Sequence, residues 1–382
     1  MRRTRYASGL DMKMKAEMTG KERILAALRR QPVDRVPWVP LIVPYTITGF
    51  PKETPHRVAE AQRAVGCDIW TQAVVDRIGL WLPKNGKKIK KIQYYTDGDV
   101  VNGYETPEGT ITERQRSGIG GSINAPVEYL IKTTQDLRAY RYVLENSFLF
   151  IADYSDHYAW EEAIVGEDGV ITDVSIGMSP HQMFINLLAG VEHTYDIQSD
   201  EPELFDEVMD LMHRQYKQQI RETAKRSKAE IFISSENTSW TTISPARFEK
   251  YCAGQLGEYA DILHEYGKLH VIHMCGKLSH MTAQIAGCRF DAAADLAPAP
   301  TGDMELWELA NALPDLAVKG GIGCDTFLAE DPRECYEKAR EILERTRGRR
   351  GVLLGSGDSV PNGTSLENLR AIKKAVEEAG TC

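Results

Sequence analysis

The sequence predicts an α/β fold, a TIM (β/α)8 barrel with an N-terminal helical extension and an antiparallel β insertion. Strand-like and helix-like stretches alternate over most of the chain. No Gly-x-Gly-x-x-Gly fingerprint of an open dinucleotide-binding sheet interrupts them. Polar residues collect where the apolar runs end, and in a closed barrel those strand ends carry the chemistry. At 382 residues and 42% hydrophobic content, the chain can fill one large barrel. We expect an extension over 1–18, the barrel over 19–382 and an insertion at about 92–123.

Thr19 is a capping residue before Ile24, Leu25 and Leu28, which share one helical face; Pro32 and Pro37 end that helix. A strand follows at 36–43, a helix at 57–65 and a strand at 68–75. Between 92 and 123 the turn residues Asp97-Gly98, Pro107-Glu-Gly109 and Gly118-Ile-Gly-Gly-Ser122 separate short β-rich runs, the pattern of antiparallel hairpins. Such an insertion would form a lid over the barrel mouth. Alternation then resumes, with strands at 170–175, 230–234, 269–273, 290–295, 317–322 and 351–355. Helices are expected at 181–190, 201–226, 245–266, 304–312, 331–347 and 365–379.

A net charge of −9 offers no basic field to nucleic acid, and Lys87-Lys-Ile-Lys-Lys91 is short enough to be a solvated surface. Seven scattered cysteines, an odd number, argue against a secreted disulfide framework and for a reducing cytoplasm. No apolar run approaches the ~20 residues of a membrane span. A homo-oligomer is compatible with the sequence.

The sharpest chemical signal is His273-Met-Cys275, where an apolar run turns polar. On an extended backbone residues two apart face the same way, so one metal ion can take both side chains. Cys324 ends another strand-like run, and zinc favours this mixture of imidazole and thiolate. Glu236 ends the run 229–235 and stands as a further zinc ligand, a general base or a substrate acceptor. Its neighbours Asn237 and Trp240 suit a substrate contact and a pocket wall. Asp295, Asp325 and Asp358 follow other strands and would orient the imidazole, bind substrate or cap helices. His181 would line the pocket or cap a helix, whereas His270 should face away from His273.

Two look-alike motifs are set aside. Asp261-Ile-Leu-His264-Glu-Tyr-Gly267 has one residue too many for the corrinoid signature Asp-x-His-x-x-Gly and sits in a helical stretch. Gly355-Ser-Gly357 lacks the rest of a serine nucleophile elbow.

Further elements carry a family resemblance: Arg35-Val-Pro37, Thr106-Pro-Glu-Gly109, Ile243-Ser-Pro245 with Phe248, His273-x-Cys-Gly276, and Gly355-Ser-Gly-Asp358 with Leu366-Glu-Asn-Leu369. Together they resemble the uroporphyrinogen decarboxylase superfamily over roughly 19–380, most closely its cobalamin-dependent methyltransferase branch. The resemblance implies zinc at the barrel mouth and methyl transfer between a small methylated substrate and the corrinoid (cobalamin) of a separate corrinoid protein. The Met-Arg-Gln-Ala-Gly-Arg segment of true decarboxylases is not found. Where thiol-methylating members place a distal zinc cysteine this chain has Ser356, so the third ligand falls to Cys324 or Glu236. That departure favours demethylation of aryl methyl ethers, with Trp240, Met178 and Tyr45 as an apolar wall. Methylation of a thiol from methylcobalamin and metal-independent decarboxylation are the alternatives.

Overall fold

The structure, a computed structural model, describes residues 17–42, 47–48, 58–72, 79–84, 86–117, 124–153 and 155–381. Seven parallel strands form one curled sheet in the spatial order Val352–Ser356, Ala317–Ile322, Ala292–Leu296, Leu269–His273, Ile231–Ser235, Gly169–Asp173 and Ile69–Gln72. The strand expected at 36–43 is reduced to a single parallel bridge between Trp38 and Leu354. Pro37 and Pro40 lack the N–H that a ladder needs. The segment nevertheless bonds on both sides: Val39 N–H donates to Leu354 O at 2.8 Å, and Asp68 N–H donates to Trp38 O at 2.9 Å. It therefore closes the barrel between the first and last strands of the sheet.

A buried ion network anchors that closure. The Asp68 carboxylate accepts from Arg23 Nη1 at 2.5 Å, Arg35 Nη1 at 2.7 Å and the Trp38 N–H at 3.0 Å. Such charges are tolerated in an interior because each is paired and hydrogen-bonded. Arg23 belongs to the helix Gly20–Leu28, which opens on a capping box between Thr19 and Glu22. Its Ile24, Leu25 and Leu28 pack with Val170, Ile231, Leu269 and Ala317, residues at strand beginnings, so this helix plugs the bottom of the barrel.

Along each strand the side chains alternate. Ile231, Ile233, Val271, Ala292 and Ala294 join the interior cluster, while Phe232, Ile272, Ala293 and Val318 pack outward with the surrounding helices. Most expected helices form close to their expected bounds, among them Val58–Val65, Pro202–Arg226, Leu306–Ala312, Pro332–Arg345 and Leu366–Ala379. The two expected at 181–190 and 245–266 each contain a π-helical turn, at Phe184–Leu188 and Glu249–Ala253. Helices at Thr134–Glu145, Ser155–Val165 and Gly190–Asp200 were not anticipated.

The insertion is antiparallel, with strands Lys90–Thr96, Asp99–Thr106, Gly109–Ser117 and Asn124–Glu128 in sequence order. Asp97 and Gly98 make its first turn with φ of 47° and 80°, the two positive values that a tight hairpin turn matching the strand twist requires. A separate ribbon pairs Gly79–Pro83 with Ser147–Ile151. The chain leaves the barrel at the C-terminal end of Ile69–Gln72 and returns at the N-terminal end of its parallel neighbour Gly169–Asp173, so the whole excursion belongs to one crossover between adjacent strands. Residues 1–16 of the expected extension and 118–123 of the insertion lie outside the described residues. Among the described residues no helix is long and apolar enough to cross a membrane.

Candidate metal centre

The C-terminal strand ends surround a cavity of about 350 Å³ whose polar lining is Gln72, Ser235, Asn237, His273, Cys275, Asp295, Lys319 and Asp358. Within it His273, Cys275 and Asp358 stand together, their potential ligand atoms all within 4.8 Å of one another. The first two come from one strand and its exit, as alternation requires: Met274, between them, is fully buried on the outer face. Gly276 completes the turn because a Cβ there would meet Thr238 O at 2.4 Å. Asp358 arrives from the loop after Val352–Ser356.

Behind the group runs a chain of charged side chains. His273 Nδ1 donates to Asp295 Oδ2 at 2.6 Å, and Lys319 Nζ donates to Asp295 Oδ1. Burial opposes a charge on His273, but the hydrogen bond to Asp295 and the adjacent Cys275 sulfur outweigh it and hold the imidazole up to about 10. Burial likewise opposes a charge on Asp295, and there Lys319 and His273 win, keeping the carboxyl well below its usual range. With Nδ1 engaged, Nε2 is the nitrogen left for a metal ion. Asp295 reaches this position through a left-handed backbone at φ 60°, at a register irregularity in its strand. Asn237 is left-handed as well, at φ 48°, and its Oδ1 lies 3.9 Å from Cys275 Sγ.

Other expected site residues sit elsewhere. Glu236 is fully buried and outside both the donor group and the cavity lining. Its carboxylate accepts from the Ser179 N–H and, at 2.9 Å, from Ser179 Oγ, which ties the end of its strand to the helix at Pro180. Burial pushes its carboxyl up to about 7 against those two hydrogen bonds. Alternation explains this placement: Ile233, Ser235 and Asn237 line the cavity, so Glu236 faces outward. Cys324 also stays outside the donor group. It opens a short helix, its Sγ is 3.7 Å from Ser359 O, and burial followed by the nearby Asp358 and Asp325 carboxylates pushes its thiol up. Asp325 is exposed in that helix's first turn.

Trp240 is committed to Asp303, with Nε1 donating at 2.7 Å, and Met178 is buried; neither lines the cavity. His181 is fully buried, stacked on Tyr251 at 4.9 Å between ring centroids, and burial pulls its imidazole down to about 4. Tyr45 lies outside the described residues. His270 is buried and bonded to Ser234, consistent with a structural role. The false corrinoid motif is otherwise engaged, Asp261 with Arg289 and His264 with Asp291. Ser356 Oγ accepts from the Leu41 N–H at 2.9 Å. Sequence reasoning missed Lys319, Trp70 and Gln72, although a lysine inside the apolar run 317–322 was a visible signal.

A methyltransferase from Methanosarcina mazei shares this fold over 95% of the chain and 99% of its own, with a TM-score of 0.59 and 17% identity. A B12-independent methionine synthase from a Shewanella species aligns over 90% of the chain and 97% of its own at a TM-score of 0.48 and 11% identity. Comparison with curated proteins gave no match. The uroporphyrinogen decarboxylase (URO-D) family model matches residues 174–379, which include every residue of the donor group, and on that match, over more than half its length, the chain belongs to the URO-D family.

Proposed function

We propose that the protein is a zinc-dependent methyltransferase, working in the cytoplasm, that moves a methyl group from a small methylated donor, an aryl methyl ether foremost, to a corrinoid held by a separate protein. The observation that carries this reading is the group of His273, Cys275 and Asp358 at the mouth of a small cavity. One nitrogen, one sulfur and one oxygen donor suit zinc and leave a fourth position for substrate. His273 would bind through Nε2, Cys275 through Sγ and Asp358 through a carboxylate oxygen. Zinc held there would supply a Lewis acid for the ether oxygen, easing departure of a basic phenolate.

The protein's own groups do the rest. Asp295 fixes the His273 ring and keeps its Nδ1 proton in place. Asn237 and Ser235 offer polar contacts at the rim, and Val39, Leu41, Ile233 and Trp70 form an apolar wall that excludes water from the donor. The cavity volume of about 350 Å³ is near the lower end for ligand pockets and accommodates a one-ring compound. The Methanosarcina protein is described as a methyltransferase, and this reading brings that chemistry to the present chain.

The test is metal analysis of the purified chain together with single-turnover absorbance, using cob(I)alamin and a panel of methoxylated aromatics, methylamines and thiols. We expect about one zinc per chain and alkylation of the corrinoid only when a donor is present. Decarboxylation by zinc-free protein, or methyl transfer only towards a thiol, would overturn the proposal.

A further inference from the structure

Lys319 is the one charged side chain on the inward face of its strand. Alternation from Ala317 turns it into the barrel, where it is 4% exposed yet lines the cavity. An ammonium has three N–H donors. One is taken by Asp295 Oδ1, and no other acceptor lies within hydrogen-bond range among the described residues. Val39, Ile233 and Ala294 contribute apolar side chains to the same cavity. Asp295 and the face of the Trp70 ring leave part of the ammonium turned to the cavity, where a ligand can supply the remaining acceptors. Trp70 presents a flat apolar wall beside it, its ring centroid 5.6 Å from Nζ.

We infer that Lys319 and Trp70 form a subsite for a carboxylate carried on an aromatic ring, at the end of the ligand remote from the metal-donor group. Asp295 balances the lysine's charge, so recognition comes from two N–H groups meeting two carboxylate oxygens rather than from a net field. Lys319 is linked to the donor group through the Asp295 carboxylate and the His273 imidazole, and both line the same cavity. A ligand anchored at Lys319 therefore reaches His273, Cys275 and Asp358 with about one ring between its ends. Taken with the proposed methyl transfer, on which this last step rests, the donor is an aromatic acid bearing its O-methyl group across the ring from the carboxylate.

The subsite is tested without metal or turnover, by calorimetric titration of the full-length, metal-free chain with benzoate and with its neutral isostere benzamide. Wild type is expected to prefer benzoate by about tenfold or more, the worth of a hydrogen bond to a charged group. Lys319→Met should bring the ratio to about one, and Lys319→Arg should retain the preference. If Lys319→Met does not fold, the double variant Lys319→Met/Asp295→Asn, which leaves no unpaired buried charge, replaces it with the same expected ratio. Equal binding of the two ligands by wild type, or an unchanged ratio without the lysine, overturns the subsite. Benzoate preference without methyl transfer in the separate turnover assay upholds the subsite and sinks the function; methyl transfer without the preference does the reverse.

Discussion

Replacing Asp295 by Asn separates what the charged chain does for the metal from what it does for the fold. The amide oxygen can still accept from His273 Nδ1, but the amide N–H₂ then points at the Lys319 ammonium, donor against donor, where a carboxylate oxygen stood. Removing one partner of a buried ion pair costs about 3–5 kcal/mol, because the remaining charge is stranded. Loss of a carboxylate that orients a ligating histidine weakens metal affinity about 10–100-fold. That corresponds to about 1.4–2.7 kcal/mol. Stability would be read by urea unfolding and zinc affinity by competition with a chromophoric chelator. Adding Lys319→Met should restore much of the stability, since no lone charge remains, while zinc affinity should stay low. An Asp295→Asn variant that binds zinc as tightly as wild type would refute the positioning role.

Cys275→Ala and Asp358→Ala should each lose zinc on metal analysis, and Cys324→Ala should keep it; the opposite pattern for the last two would make Cys324 the third ligand. Glu236 is held at about 7 in the fold against an ordinary 4.5. Its stabilising effect is therefore complete below pH 4.5 and is lost as pH rises through 7, a decline of about 3 kcal/mol. Glu236→Gln should flatten that slope in unfolding measured from pH 5 to 8, and an unchanged slope would count against the buried carboxyl as its source. Gly276→Ala would push a methyl group to 2.4 Å from Thr238 O. A cost of about 1–3 kcal/mol is expected from such overpacking, together with weaker zinc binding as Cys275 is displaced; a variant matching wild type in both would show that the turn has room.

The order of strands and helices was legible in the sequence because each element carries its own signal. Apolar runs of strand length, such as 269–273 and 317–322, and capped amphipathic stretches, such as 202–226, declare themselves within a few residues. The pairing of His273 with Cys275 followed from alternation along one strand. The same rule, applied from Ile233 through Ser235 to Asn237, would have placed Glu236 outside. The third member of the donor group was a different kind of question. The sequence offered Cys324 or Glu236 for that place and presented Asp358 and Asp325 as carboxylates that orient, bind substrate or cap; only the path of each loop in three dimensions brings Asp358 to His273 and turns Asp325 to solvent. Asp295 was beyond any periodicity, since its left-handed backbone breaks the alternation that would otherwise set its direction. Lys319 was visible as an anomaly, but its meaning depended on Asp295 and Trp70, distant in the chain and adjacent only once the barrel closes. The sequence by itself determined the elements and the faces of the regular strands, because those depend on neighbours along the chain. The closed barrel decided which side chains share one cavity, because that depends on contacts between residues far apart in sequence.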